Sequence, residues 1–266
     1  IALHARLTGR DADNATQFRE AALELNELFP DATESARLIE AHSNEQPLAD
    51  ADKWYSDTTD EEAVSNAVLD FTLNLKPDVP FLLEEKKLDT STVESFGLGW
   101  CSKGMFSGRI VVPVHNAEGD LVAYAGRGLK ENDIQKRGRW LFPKGFKKSQ
   151  ELFNYHRLSE FDFDSVGLVV VEGFWSALRF AEAGIPAVAL MGREISHLQC
   201  RMISDMTDQV WLMLDRDSAG LNAVPKVAAR LAQSVYVRLA PYPDDDDRYQ
   251  PEAFSAEELR AMFLHA

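Results

Sequence analysis

Three acidic residues directly follow apolar stretches of this chain, at the points where strands are expected to end. Glu172 comes after the run LVVV, and Asp215 and Asp217 come after the run WLML. Because parallel strands present their carboxyl ends at one edge of a sheet, where ligands gather, we expect the three carboxylates to converge. Like charges brought close together repel one another unless a cation neutralises them.

The chemistry that such a site favours is that of a hard divalent cation. Oxygen-only ligands prefer Mg²⁺ or Mn²⁺, which keep several waters and meet substrate phosphates. Each acid alone also has an ordinary interpretation, because Asp before Ser-Ala-Gly caps helices and a Glu at a strand end is often solvated. The joint pattern of Glu-Gly after one strand and Asp-x-Asp-x-x-Gly after another favours function, with Glu172 as metal ligand or general base.

Four apolar runs in the C-terminal half have to position these acids. They lie at 166–171, 187–191, 209–214 and 234–239, and stretches of helical length separate them. Alternating strands and helices predict parallel strands joined by right-handed crossovers. The fold class is therefore predicted to be α/β, an open parallel sheet with helices on both faces.

The upstream half has a different pattern. The segment GRIVVPVHNAEGDLVAYAGRGL predicts an antiparallel hairpin whose turn is NAEGD. A helix is predicted over 63–75, and Asp89 or Thr90 is expected to cap another short helix. Residues 4–29 are also predicted to be helical, because their apolar residues recur at spacings of three and four. The polar, acidic stretch 41–61 predicts a linker.

Composition sets the class of protein. With 266 residues, 45% of them hydrophobic, the chain can bury one large core or two smaller ones. No stretch approaches the roughly 20 apolar residues of a membrane span, and no signal-peptide pattern opens the chain, so we expect a cytoplasmic protein without membrane contact. Cys101 and Cys200 are too isolated to predict a zinc site or a disulfide framework. The net charge of −15 disfavours bulk binding of nucleic acid and leaves room only for a local basic patch.

One basic patch is present in this acidic chain. The segment KRGRWLFPKGFKK, from Lys136 to Lys148, contains six Lys or Arg residues and no acid, with three aromatic residues between them. This composition is typical of a surface that binds the phosphates and bases of single-stranded nucleic acid. The alternative is a solvated loop whose aromatic residues belong to the core. The candidate nucleotide- or DNA-binding residues in this segment are Lys136, Arg139, Lys144, Lys147 and Lys148.

These motifs together resemble the catalytic core of the DnaG-type primases of bacteria, phages and plasmids. The Glu-Gly and LDRDSAG motifs look like the Toprim domain that such primases share with topoisomerases and some nucleases. Upstream, LLEEKKLDTSTVESFGLGWC, the hairpin segment and RWLFPKGFKKSQELFNYHR resemble the N-terminal half of that core, in the same order. The resemblance covers roughly residues 65–255.

The resemblance implies a DNA primase that makes short primers on a single-stranded DNA template from nucleoside triphosphates, with Mg²⁺ or Mn²⁺ as cofactor. Glu172, Asp215 and Asp217 match the family's catalytic, metal-binding acids. Arg109 and Arg127 match arginines of its GR motifs, which face the nucleotide and the primer–template path. A replicative helicase is a further expected partner. The alternatives are a Toprim nuclease that uses the same acids to activate water, and a catalytically inactive module that recruits a partner to DNA.

This chain departs from the family's pattern at two places. The family usually has an acid four residues after its motif glutamate, where this chain has Ser176, and it has Asp-Pro-Asp where this chain has QPE at 250–252. Glu252 is the first candidate for a further metal ligand. The run Asp244–Asp247 just before it is equally compatible with a solvated loop.

The segments fall into a predicted order along the chain. We expect an N-terminal helical segment at 1–45, similar to the stretch that follows a zinc-binding module, a primase-type α+β subdomain with the basic patch at 62–160, a Toprim domain at 161–255, and a C-terminal helix at 256–266. No zinc site is expected within these residues.

Overall fold

A computed structural model describes residues 65–159, 161, 163, 166–243 and 248–264 of the chain. The predicted N-terminal helical segment, the acidic linker and the Asp244–Asp247 run lie outside the described residues. Within the described part, no helix is long and apolar enough to cross a bilayer.

The first sheet is antiparallel and contains the predicted hairpin. Its strands follow the order β1-β2-β3-β4. On β2, alternate residues face opposite sides, and both sides are buried, so this sheet is covered by packing on each face. The prediction of a hairpin is confirmed. The strands are β1 (Gly99–Cys101), β2 (Arg109–His115), β3 (Leu121–Gly128) and β4 (Trp140–Leu141).

The helix predicted over 63–75 is wrong for the residues described there. From position 65 the backbone is not helical. The Leu69 amide donates to the carbonyl of Leu121 at 2.8 Å, and Lys76 forms a β-bridge with Trp100. The leucines of this segment pack against the outer face of the first sheet. Tertiary packing has therefore overridden a local pattern that is compatible with a helix.

Two short helices accompany this sheet, α1 (Thr90–Ser95) and α2 (Glu131–Arg137), and a single π-helical turn spans Phe81–Glu85. Asp89 stands at the N-cap position of α1, as predicted, although its side chain makes no capping hydrogen bond. The basic segment begins in the last turn of α2 and continues through β4.

The second sheet is entirely parallel, with strand order β6-β5-β7-β8. Helices α3 and α6 cover one face and helices α4 and α5 cover the other. The predicted α/β architecture, an open parallel sheet flanked by helices, is confirmed. Its strands are β5 (Leu168–Val171), β6 (Ala187–Ala189), β7 (Gln209–Met213) and β8 (Tyr236–Leu239), and its helices are α3 (Phe174–Glu182), α4 (His197–Ser204), α5 (Ser218–Leu231) and α6 (Ala256–Leu264).

The two sheets share one hydrophobic core. Ile110 and Val112 of β2 belong to the same buried cluster as Val169 of β5. Phe153, just after the basic segment, exchanges backbone hydrogen bonds of 3.0 and 3.2 Å with Ala189 at the edge of β6. The basic segment is thereby held beside the carboxyl edge of the parallel sheet.

Candidate active site

The predicted acids lie at the carboxyl ends of two neighbouring strands. Val171 of β5 pairs in register with Met213 of β7, so the residues that follow these strands emerge side by side. Glu172 follows the first strand directly. Asp215 follows the second after one residue.

Asp217 has two functions in the local structure. It is the N-cap of α5, where its Oδ1 accepts hydrogen bonds from the amides of Ala219 at 3.1 Å and Gly220 at 2.7 Å. Its Oδ2 accepts from Arg193 at 3.5 Å. One oxygen of Asp217 therefore caps the helix, as the ordinary interpretation of this residue predicts. The other oxygen contacts Arg193 and remains at the acidic edge.

Gly220 allows α5 to start close to β7. A Cβ atom at this position would lie 2.0 Å from the carbonyl oxygen of Asp215, which no side chain tolerates. The glycine of the Asp-x-Asp-x-x-Gly pattern is thus required by the close approach of helix and strand.

Arg193 links the two strand ends, and sequence reasoning did not identify it. Its Nε donates to Oε1 of Glu172 at 3.2 Å and its Nη2 donates to Oδ2 of Asp217 at 3.5 Å, while half of its side chain stays exposed. Oε2 of Glu172 is buried and has no hydrogen-bond partner among the described residues. The available signal was the position of Arg193 directly after Met191-Gly192, in the loop that follows β6 of the same sheet.

The environment of these acids disfavours their charged forms. Burial raises the pKa of Glu172; Arg193 opposes that shift, and Asp217 and Glu252 add to it. Burial also raises the pKa of Asp215 to about 7, against a hydrogen bond from Gln250, with the neighbouring carboxylates contributing to the rise. A site that crowds carboxylates in this way gains stability from an added cation.

Glu252 lies at the same edge but both of its oxygens have partners. Its Oε1 accepts from Nζ of Lys86 at 3.2 Å, and its Oε2 accepts from Oγ of Ser176 at 2.6 Å. Lys86 and Ser176 come from the π-helical turn region and from α3, far away in sequence. Neither contact was predicted from the sequence.

The donor set fits a hard divalent cation, although the described residues do not form a ready-made metal cluster. No three His, Cys, Asp or Glu side chains of the described chain meet closely enough to hold an ion. Glu172 and Asp217 share Arg193, while Asp215 and Glu252 are bound to other partners. The unpartnered Oε2 of Glu172 and the all-oxygen ligand set at the strand ends are nevertheless what Mg²⁺ or Mn²⁺ requires.

A cavity of about 630 Å³ opens beside Glu172. Trp140, Phe142 and Arg193 are among the residues that line it. Lys148 also faces this cavity, where its Nζ donates to the carbonyl of Met191 at 3.1 Å and lies 5.4 Å from the ring centre of Phe142. The cavity therefore combines carboxylates, cationic side chains and apolar walls, which suits a ligand that carries phosphates.

The basic segment combines exposed positive charges with aromatic residues that pack inside the protein. All five of its predicted nucleotide- or DNA-binding residues are exposed, and one of them, Lys148, lines the cavity. Its aromatic residues are partly buried: Trp140 lies 4.7 Å from the ring of Phe174, and Phe142 stacks on Phe146 at 5.7 Å. The charges are therefore available to a ligand, while the aromatic rings pack between the two sheets. The five exposed cationic residues are Lys136, Arg139, Lys144, Lys147 and Lys148.

The two predicted arginines differ in environment. Arg109 is fully buried; it donates to the carbonyls of Gly126 at 2.9 Å and Gly138 at 3.0 Å and pairs with Asp133 at 2.7 Å. The buried guanidinium offers no exposed surface to a phosphate, and its predicted contact with nucleotide or DNA stays a prediction. Arg127 is partly exposed, and burial together with nearby arginines lowers its pKa.

The helix after β6 begins with a capping box. Ser196 caps α4 by accepting from the amide of Gln199 at 3.0 Å, and the side chain of Gln199 accepts in return from the amide of Ser196. This capping box fixes the loop that carries Arg193.

Comparisons with known proteins agree with this arrangement. Residues 103–159 match the family described as DNA primase catalytic core, N-terminal domain, and residues 169–249 match the Toprim-like family. The DNA primase of Aquifex aeolicus is 28% identical over 189 residues, which are 68% of this chain and 38% of the relative. The DNA primase of Lactococcus lactis is 27% identical over 236 residues, 84% of this chain and 36% of the relative. The chain thus spans less than two fifths of the length of these relatives.

Solved structures share the fold. The zinc-binding and RNA polymerase domains of the Aquifex aeolicus primase superpose with a TM-score of 0.57 at 22% identity, over 68% of this chain and 54% of that one. A DnaG primase catalytic domain bound to single-stranded DNA gives a TM-score of 0.55 at 20% identity, over 68% of each chain. The two family matches follow one another in the order of that core, and the DNA primases match across the same residues, so residues 103–249 of this chain are similar to the catalytic core of the DnaG-type primases.

Proposed function

We propose that this chain is the catalytic core of a DNA primase, which transfers nucleotidyl groups from nucleoside triphosphates to a primer on a single-stranded DNA template. The observation that carries this proposal is the pairing of Glu172 and Asp217, at adjoining strand ends, with a cavity that also exposes Lys148. Glu172, which can hold a metal, and Lys148, which can hold phosphate, then line the same cavity.

Glu172, Asp215 and Asp217 are the residues that would hold Mg²⁺ or Mn²⁺. When bound, the ion supplies positive charge that stabilises the transferred phosphate and lowers the pKa of the attacking hydroxyl. Because burial raises the pKa of Asp215 to about 7, a nearby cation would favour the charged form of this carboxylate. No covalent intermediate with the protein is required, so positioning and electrostatics account for the rate.

Lys148 is placed to bind the phosphates of the incoming nucleotide. Its ammonium keeps one hydrogen bond to the Met191 carbonyl and stays exposed to the cavity, with further donors free for phosphate oxygens. Trp140 and Phe142 exclude water from the adjoining wall. A charge-assisted contact in such a partly apolar site is stronger than one at an open surface.

The other exposed cations of the basic segment would bind the template backbone. Contacts of this kind carry no sequence information and weaken steeply with salt. One of the structural relatives is a DnaG catalytic domain bound to single-stranded DNA, which supports this part of the proposal. These cations are Lys136, Arg139, Lys144 and Lys147, with Arg127 on β3, where it pairs with Trp140 of the basic segment.

The wider setting is also a proposal. We infer a cytoplasmic replication protein with a replicative helicase as partner, divided into the segments 1–45, 62–160, 161–255 and 256–266. The DNA primases among the relatives support this setting.

A primer-extension assay tests the proposal. The protein is incubated with Mg²⁺, labelled nucleoside triphosphates and single-stranded DNA, and the products are resolved by length. We expect new labelled oligonucleotides, at least about 100-fold fewer with Glu172→Gln, because loss of a metal ligand removes charge stabilisation of the transition state. The matched control is Glu118→Gln, which changes the same group in the distant hairpin turn.

The outcomes separate the rival functions. Shortened template without new oligonucleotides identifies a nuclease. A folded protein that binds the DNA but neither extends nor shortens it identifies an inactive binding module, and either result rejects the primase proposal.

A further inference from the structure

Both oxygens of the Glu252 carboxylate already accept a hydrogen bond. Lys86 and Ser176 donate to its two oxygens at 3.2 and 2.6 Å, and only 12% of its side chain is exposed. An ion on Oε1 would share that oxygen with the ammonium of Lys86, which repels it, and an ion on Oε2 would share that oxygen with the hydroxyl of Ser176.

Lys86 is fixed in its position by the backbone around it. Arg179 of α3 donates to the carbonyls of Lys86 at 2.6 Å and Lys87 at 3.1 Å. The ammonium itself lies 5.7 Å from the ring centre of Trp175, and 22% of the side chain is exposed. This ammonium is therefore a built-in charge of the site and differs from an ordinary mobile surface lysine.

The residues that donate hydrogen bonds to Glu252 and Asp215 include two neutral side chains. A second ion would need further carboxylates at these places. Ser176 is buried in the first turn of α3 and offers a hydroxyl to Glu252. The amide of Gln250 donates to Oδ2 of Asp215 at 3.0 Å. Neither residue adds negative charge, so the described site contains few ligands for a second divalent cation.

The charges at this edge match a single divalent ion. The four carboxylates of the edge contribute four negative charges. Arg193 and Lys86 contact three of them and contribute two positive charges. The remainder is two negative charges, which one Mg²⁺ or Mn²⁺ neutralises and two such ions would exceed.

We propose that the ammonium of Lys86 stands in place of a second divalent cation, so that the site binds one ion, through Glu172 and the Asp215/Asp217 pair, and Glu252 serves to position Lys86. This inference rests on the proposed metal-dependent function and adds the number of ions and the role of Lys86. The fixed ammonium supplies its positive charge at any metal concentration, whereas a second ion would have to be recruited from solution.

Titration with Mn²⁺ alone, followed by electron paramagnetic resonance of the free ion, tests the inference. We expect one Mn²⁺ per chain. Glu252→Gln retains one ion with an affinity within about threefold of the parent, because Glu252 contacts Lys86 and Ser176 and none of the proposed ligands, whereas Glu172→Gln removes a ligand and weakens binding at least about tenfold. Two ions in the parent protein, or loss of one in Glu252→Gln, overturn the inference.

A gain of a second site gives an independent test. In the double variant Lys86→Gln/Ser176→Asp, the fixed charge is removed and a carboxylate is added next to Glu252, so we expect two Mn²⁺ per chain. The matched control Lys87→Gln/Ser176→Asp loses the same charge one residue away and should bind one. A thermal melt checks that both variants fold, and a folded Lys86 variant that binds one ion contradicts the role of Lys86. If the double variant does not fold, the Glu252→Gln titration decides.

The same titration distinguishes failure of the inference from failure of the proposed function. A parent protein that binds no Mn²⁺ but is folded rejects metal-dependent primer synthesis and this inference together. A parent protein that binds two ions and extends primers rejects only the inference about Lys86.

Discussion

Removing the Arg193 side chain should make the acidic edge bind a divalent cation more tightly. In the described structure this guanidinium is the cation that Glu172 and Asp217 share, at 3.2 and 3.5 Å. An incoming metal ion that uses both carboxylates has to break these two contacts, while the guanidinium charge stays on the chain at this edge. Arg193→Gln removes the competitor and leaves the two acids in place.

The size of the effect follows from the two ion pairs. Half of the Arg193 side chain is exposed, so each pair contributes at most about 0.2–1 kcal/mol. Breaking both costs about 1 kcal/mol, and since about 1.4 kcal/mol corresponds to a factor of ten, we expect Mn²⁺ to bind about three- to tenfold more tightly to Arg193→Gln.

The assay is a Mn²⁺ titration without nucleotide, which isolates the ion from any contact of Arg193 with a triphosphate. Arg193→Lys keeps a positive charge and should stay close to the parent. Arg201→Gln removes the same charge from the exposed side of α4 and should change the affinity by less than about twofold at moderate salt. Unchanged or weaker binding in Arg193→Gln would refute the view that this residue competes with the metal.

Three further predictions concern stability. Arg109→Met should lower the free energy of unfolding by about 3 kcal/mol in urea denaturation, because it leaves buried carbonyls and a carboxylate without their partner; a loss of nucleotide binding with unchanged stability would contradict the buried placement. Gly220→Ala should lower the melting temperature by several degrees, since its Cβ would lie 2.0 Å from the Asp215 carbonyl oxygen, and an unchanged melt would contradict the close packing of α5. Burial, with help from neighbouring positive groups, lowers the pKa of His156 to about 4, so the unfolded chain takes up the proton first and stability falls as the pH drops from about 6.5 to 4. This loss, of order 1 kcal/mol after allowance for solvent, should shrink in His156→Gln and persist in His197→Gln at the exposed start of α4 when unfolding is followed against pH.

The parallel sheet and its acidic edge were predictable because they depend on local patterns. Apolar runs separated by helical stretches predict parallel strands, and parallel strands bring their carboxyl ends together whatever the loops do. Glu172 and Asp215 therefore reach the same edge. The hairpin was predictable for the same reason, from alternating residues on either side of a turn.

The segment 63–75 shows where a local pattern misleads. Its apolar spacing suits a helix, but the described residues from 65 onward run along the first sheet, where Leu69 bonds to Leu121. A hydrophobic pattern predicts which residues will be buried. It does not predict whether they pack against a helix or against a sheet formed by later residues.

The chain's sequence by itself determined the α/β class, the acidic edge and the presence of a basic segment, since periodicity and charge are properties of neighbouring residues. Only the tertiary structure decided which charges meet: Arg193 reaches Glu172 across 21 positions and Lys86 reaches Glu252 across 166. It also decided that Arg109 is buried whereas Lys148 faces the cavity. The physical reason is that electrostatic partners are set by distance and burial in space, and the order of residues along the chain specifies neither until the core has formed.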